Sequence, residues 1–198
     1  MPCQNVASCG GPTPGPVGKE ESFMLVDTEQ SFPRDEFQDI LEANRAFAST
    51  FHDPGRTGRA AKGLAIITCM DSRIDPLAVV GMRAGDAKIL RNAGARVTED
   101  VLRTLVLATH LLGVHRILVM PHTDCRMASG DEAAVHEAIF DASGIDSRSL
   151  EIRTVSDQRL ALTSDVTRIR TFPFLPEGVV VAGAIYDVHE GTLTTVDA

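Results

Sequence analysis

The amino-acid sequence predicts an α/β fold: a largely parallel central β-sheet flanked by helices. From residue 64 onward, short apolar runs rich in β-branched residues alternate with segments whose apolar positions recur at helical spacing. Such alternation requires crossover connections between parallel strands. The runs themselves, LAIIT at 64–68 and RILVM at 116–120, are apolar almost throughout, as strands buried on both faces are. A chain of 198 residues that is 43% hydrophobic is also large enough to bury a core without disulfide bonds.

The elements follow in chain order. Residues 1–30 are rich in Gly and Pro and poor in large apolar side chains, so the entropy of ordering is not offset and disorder is expected. Cys3 and Cys9 lie in this tail with no nearby His or further Cys to complete a tetrahedral zinc site, and Met24 is a second position at which the protein could start. Residues 31–198 are expected to form one domain that opens with a helical arm. In RDEFQDILEANRAFASTF, 34–51, Phe37, Ile40, Leu41 and Phe47 share one helical face. That face packs either on its own domain or across a partner subunit. After the turn-rich HDPGRTGRAAKG, strands are expected at 64–68, 87–90, 116–120, 179–186 and 193–196. Helices are expected at 76–82, 99–112, 132–141 and 156–170.

Charge and cysteine usage narrow the function. The 19 Lys and Arg against 27 Asp and Glu leave a formal net charge of -8, which argues against nucleic acid or an anionic membrane as partner. No apolar run reaches the roughly 18–20 residues needed to cross a bilayer. The N-terminus lacks the basic start and apolar middle of a secretion signal. A cytoplasmic protein is expected, in which the widely spaced Cys69 and Cys125 stay reduced and available to a metal. No G-x-G-x-x-G follows a strand, and GMRAGDAK does not fit the phosphate-loop spacing, so nucleotide binding is disfavoured.

In an open α/β sheet, functional groups gather at the carboxyl ends of the strands. Cys69 stands where the first strand stops, and PHTDC, 121–125, stands where RILVM stops. Neighbouring parallel strands are about 4.8 Å apart, so Cys69, His122 and Cys125 can converge on one ion. Two thiolates and an imidazole suit Zn²⁺ and leave a fourth tetrahedral position for catalysis. Asp71 then has two uses: it accepts a hydrogen bond from a water at the metal, or it becomes the fourth metal ligand. Arg73 can hold that carboxylate by a bidentate bond, ionised and off the metal. His52, His110, His115, His136 and His189 have no comparable company and are expected to be structural or surface residues.

The order C-x-D-S-R, R-N-A-G and H-x-x-C, present as Cys69-Met70-Asp71-Ser72-Arg73, Arg91-Asn92-Ala93-Gly94 and His122-Thr123-Asp124-Cys125, closely resembles the β-class carbonic anhydrases. The resemblance extends over roughly residues 37–196, including GAIYDVHEGTL. It implies a zinc enzyme that interconverts CO2 and bicarbonate, with the metal as the source of the attacking hydroxide. By the same resemblance Cys69, His122 and Cys125 bind zinc, Asp71 and Arg73 form the catalytic dyad, and Asp71 can bind the metal in a closed form. It also implies a homodimer or homotetramer, with the N-terminal helix embracing the partner. The sequence departs from the family at Arg126, where Gly is usual, and at Pro121, where Gly or His is common. A large cation there would either clash with a backbone turn or draw an anion to the site. With no Trp, the chain cannot form the Trp-containing bicarbonate site of some members. Two other outcomes compete: hydrolysis of carbonyl sulfide or carbon disulfide on the same fold, and a zinc-stabilised regulatory module weakened in catalysis.

Overall fold

The computed structural model describes residues 32–198, and the tail expected at 1–30, with Cys3, Cys9 and Met24, lies outside the described residues. The chain divides at His52. Before it stands helix α1 (Gln38–Thr50), which buries none of its residues and leaves Phe37, Ile40, Phe47 and Phe51 exposed.

The unit Asp53–Ala198 carries the sheet. Its strands are β1 (Leu64–Cys69), β2 (Ala87–Asn92), β3 (Arg116–Met120), β4 (Val180–Tyr186) and β5 (Leu193–Val196), in the order β2-β1-β3-β4-β5. All neighbours are parallel except β4 and β5, which are joined by a tight turn and run antiparallel. Between the strands lie α2 (Pro76–Val79), α3 (Glu99–Leu111), α4 (Glu132–Ser143) and α5 (Gln158–Arg170).

Each helix of this unit starts where a side chain can take up free amide groups. Asp75 accepts from the amides of Leu77 and Ala78 ahead of Pro76, and Thr98, Asp131 and Asp157 cap α3, α4 and α5. The helix predicted over 76–82 stops at Val79 because the chain turns at Gly81, φ 65°. The first strand runs one residue further than predicted, to Cys69. The second runs two further, because Arg91 and Asn92 stay in register with Thr68 and Cys69.

Alternation along the strands sorts side chains onto two faces. Ala65, Ile67, Ile117, Val119 and Val181 join Leu102 and Leu105 of α3 and Leu162, Val166 and Ile169 of α5 in the larger core. Leu64, Ile66 and Met120 face the other way, against Ile74 and the residues around α2. The long helices α3 and α5 thus share one face, while the opposite face is closed by short segments that also bear functional groups.

Helix α5 approaches β4 closely at one point. A Cβ on Gly183 would fall 2.9 Å from Leu162 Cγ, so glycine is needed for this helix to seat. Gly183→Ala is expected to destabilise the protein by about 1–3 kcal/mol through overpacking. Gly58→Ala, where a Cβ meets nothing within 4 Å, should change stability by about 0.5 kcal/mol or less. Chemical denaturation of both variants checks the contrast, and equal effects would contradict it.

Candidate metal centre

Parallel registers bring two loops together. Thr68 pairs with Met120, and the Thr68 hydroxyl donates to the Met120 carbonyl at 2.8 Å, so Cys69 and His122 emerge side by side at the same sheet edge. Beyond β3, His122 bridges to Tyr186. The Tyr186 amide donates to the Pro121 carbonyl and the Thr123 amide to the Tyr186 carbonyl, both at 2.9 Å. The H-x-x-C loop is therefore an extension of the sheet.

The ligating atoms of Cys69, His122 and Cys125 all lie within 4.8 Å of one another, and all three residues are buried. Among the described residues this is the one such group. The two Sγ atoms are 3.9 Å apart, far beyond a disulfide bond of about 2.05 Å. Two sulfurs at about 2.3 Å from one tetrahedral zinc ion would be separated by about 3.8 Å, so the spacing fits a shared metal. The imidazole is set for the same purpose. His122 Nδ1 faces the Thr123 carbonyl at 2.8 Å and donates to it, which leaves Nε2 as a lone pair. That Nε2 is buried without any hydrogen-bond partner. Burial pushes the Cys125 thiol up to about 11, and Cys69 beside it adds to the rise. A divalent cation satisfies the orphaned nitrogen and offsets the charge of two buried thiolates at once.

The R-N-A-G segment holds the first of these loops. Arg91 donates from Nε to the Cys69 carbonyl at 2.9 Å, from Nη1 to Ile74 at 3.2 Å and from Nη2 to Asp71 at 2.5 Å. Asn92 brackets the next turn, accepting from the Arg96 amide and donating to its carbonyl. Gly94 takes φ 77° there, and a Cβ on it would lie 3.1 Å from Met127 Cβ, so the turn packs directly on the residues after Cys125. Gln158 Nε2 donates to the His122 carbonyl at 2.7 Å from the start of α5.

Asp71 is held by Arg73 through both carboxylate oxygens: Nε reaches Oδ1 at 3.0 Å, and Nη2 reaches Oδ2 at 2.7 Å. Oδ2 lies 3.8 Å from His122 Nε2. Asp71 is therefore beside the donor group and bonded to Arg73. Hydrogen bonds from Arg73 hold its carboxyl well below the ordinary carboxylate range. Because that pKa is lower in the folded than in the unfolded chain, the pair stabilises above about pH 4 and loses its contribution as pH falls further.

Several site residues carry no sign in the sequence of what they contact. Arg91 and Gln158 act through hydrogen bonds to distant backbone carbonyls. Asp124, inside the H-x-x-C motif, accepts Arg73 Nη1 at 2.8 Å, and His189 Nε2 lies 3.9 Å from the same oxygen. Two of the other histidines bond away from the site, His110 to the Phe174 carbonyl and His136 to Ser147. The clash considered for Arg126 does not occur. Arg126 is exposed, opens the 3₁₀ turn Arg126–Ala128 and is absent from the positive-φ positions, so nothing in its backbone requires glycine.

Comparison with known proteins follows the same lines. The family profile described as carbonic anhydrase matches residues 64–193. The chain is 35% identical to beta-carbonic anhydrase 1 of Mycobacterium tuberculosis over 158 residues, covering 80% of this chain and 96% of that protein. It is 32% identical to the carbon disulfide hydrolase of Saccharolobus solfataricus over 152 residues, covering 64% of this chain and 73% of that protein. Among solved structures, the carbonic anhydrase of Streptococcus mutans superposes with a TM-score of 0.76 at 34% identity, over 81% of this chain and 97% of that one.

Arg91→Met would leave the carbonyls of Cys69, Asp71 and Ile74 without their donor. A zinc affinity lowered about 10–100-fold is expected, with a loss of roughly 1–3 kcal/mol in stability. Competition titration against a chelator reads the first, and affinity equal to that of the unaltered protein would contradict the clamp.

Proposed function

This chain belongs to the β-carbonic anhydrase family, a family of zinc lyases, and we propose that Cys69, His122 and Cys125 hold the zinc ion while Asp71 and Arg73 form the catalytic dyad. The reaction is the reversible hydration of CO2 to bicarbonate and a proton. One observation carries the residue assignment: three buried donor atoms within 4.8 Å, one of them a nitrogen with no partner in the protein.

When bound, zinc supplies the Lewis acidity that brings the pKa of a water toward neutrality. The protein's own groups do the rest. Asp71, kept ionised by Arg73, presents a carboxylate beside the donor group and can accept a hydrogen bond from the attacking water, orienting its lone pair toward the carbon of CO2. Arg73 keeps that carboxylate from closing on the donors. Ile74, Met120, Met127 and Val188 pack in the same apolar cluster as the two cysteines, which suits an uncharged linear substrate. The proton released is passed to buffer.

Carbonyl sulfide and carbon disulfide are linear molecules of the same kind, and the similarity to a carbon disulfide hydrolase keeps them as competing substrates. The exposed apolar face of α1 suits an arm laid over a second copy in a homodimer or homotetramer, which sedimentation of the full chain reads directly. Two unbonded thiols in the site are consistent with a reducing, cytoplasmic setting. No helix among the described residues is long and apolar enough to cross a membrane.

Stopped-flow hydration of CO2 by zinc-loaded protein, run beside carbonyl sulfide and carbon disulfide turnover, tests the reading. Cys69→Ser is expected to lose zinc and activity together. Asp71→Ala is expected to keep zinc and lose turnover by about 10²–10⁴-fold. Stoichiometric zinc with no hydration above buffer would contradict the reading and favour a regulatory module.

A further inference from the structure

The geometry points to Asp124 as a positioning residue: it anchors Arg73 to the H-x-x-C loop and thereby holds Asp71 away from the metal. This rests on Cys69, His122 and Cys125 being the ligands, and adds a third member to the dyad.

The guanidinium of Arg73 has five N–H donors in a fixed plane. Asp71 takes its Nε and one edge of Nη2. The opposite side belongs to Asp124, whose Oδ2 accepts Nη1 at 2.8 Å and whose backbone carbonyl accepts Nη2 at 3.1 Å. Asp71 and Arg73 sit two residues apart on one loop, so they can swing together, and their mutual bond does not fix either relative to the donor group. Asp124 lies on the other loop, between His122 and Cys125, and that loop is tied to β4. Among the described residues, the bonds from Arg73 to Asp124 are the ones that tie the dyad to the second loop.

Asp124 also adopts φ 54°, a conformation uncommon for residues with a side chain but tolerated by Asp and Asn. In this conformation both its carbonyl and its carboxylate reach the same arginine. The other charged groups facing the carboxylate are Asp71, across the guanidinium, and His189 at 3.9 Å. Arg73 is 43% exposed and Asp124 62% exposed. An isolated ion pair of that exposure would contribute little to stability. The role is therefore orientation: two carboxylates on one planar fork set its direction. Without Asp124, Arg73 can follow Asp71, and Asp71 Oδ2 has only a short distance to cover to join the donors.

Asp124→Gly removes the side chain while accepting the backbone angle, and Asp124→Asn keeps the shape with a neutral acceptor. In metal-free protein, solvent exchange of the Arg73 Nη1–H protons, which donate to Asp124, followed by nitrogen-15 NMR is expected to quicken at least tenfold in Asp124→Gly and less in Asp124→Asn. Unchanged exchange in both overturns the inference. In cobalt(II)-substituted protein, thiocyanate titrated by visible absorption should bind at least tenfold more weakly to Asp124→Gly than to the unaltered protein. Asp71→Asn combined with Asp124→Gly should restore it. Unaltered thiocyanate affinity in Asp124→Gly also overturns the inference. Failure of the unaltered protein to bind cobalt would instead count against the ligand assignment, and the metal-free exchange still decides the anchor.

Discussion

The parallel pairing of β1 with β3 is the constraint on which the site depends. Thr68 opposite Met120 makes both strands end at one level, so the next residues of each enter the same space. Hydrophobic burial enforces that register. Ala65 and Ile67 face the core under α3 and α5, whereas Leu64 and Ile66 face the other way, and a slip of one residue would exchange the faces. The energy that sets the two loops side by side thus comes from packing remote from the chemistry. The donors themselves, two thiols and a partnerless imidazole, would cost stability if left without a cation.

Around the donors, polar bonds convert sheet register into side-chain geometry. Arg91 extends from β2 to hold three carbonyls of the first loop, Gln158 reaches from α5 to the carbonyl of His122, and the Thr123 carbonyl sets the imidazole tautomer. Each bond is modest alone. Together they connect β2, β3 and α5 to one point. The Asp71–Arg73–Asp124 chain then crosses between the two loops, so the carboxylate beside the donor group is linked to both.

The sequence disclosed the parts of this arrangement that are periodic or close together along the chain. Alternating apolar runs and helical stripes revealed the α/β sheet, strand ends located Cys69 and His122, and the two-residue separation of Asp71 and Arg73 made their pairing legible. Arg91, Asp124 and Gln158 were not legible as partners, because their contacts join residues far apart in sequence and depend on strand order. The end of α2 was overextended because apolar Val80 and Met82 continue the pattern past Gly81, where a positive φ ends the helix. Arg126 raised concern as a replacement for glycine, but its effect depended on a backbone angle that residue identity does not reveal. Helix α1 was legible from its apolar residues at helical spacing.

The central claim is that two cysteine sulfurs and one histidine nitrogen meet at a single zinc ion. X-ray absorption at the zinc edge of the loaded protein measures this directly. The account predicts two sulfur ligands at about 2.3 Å and a first shell completed by light atoms that include one imidazole at about 2.0 Å. A shell with no sulfur, or one with four, would contradict it.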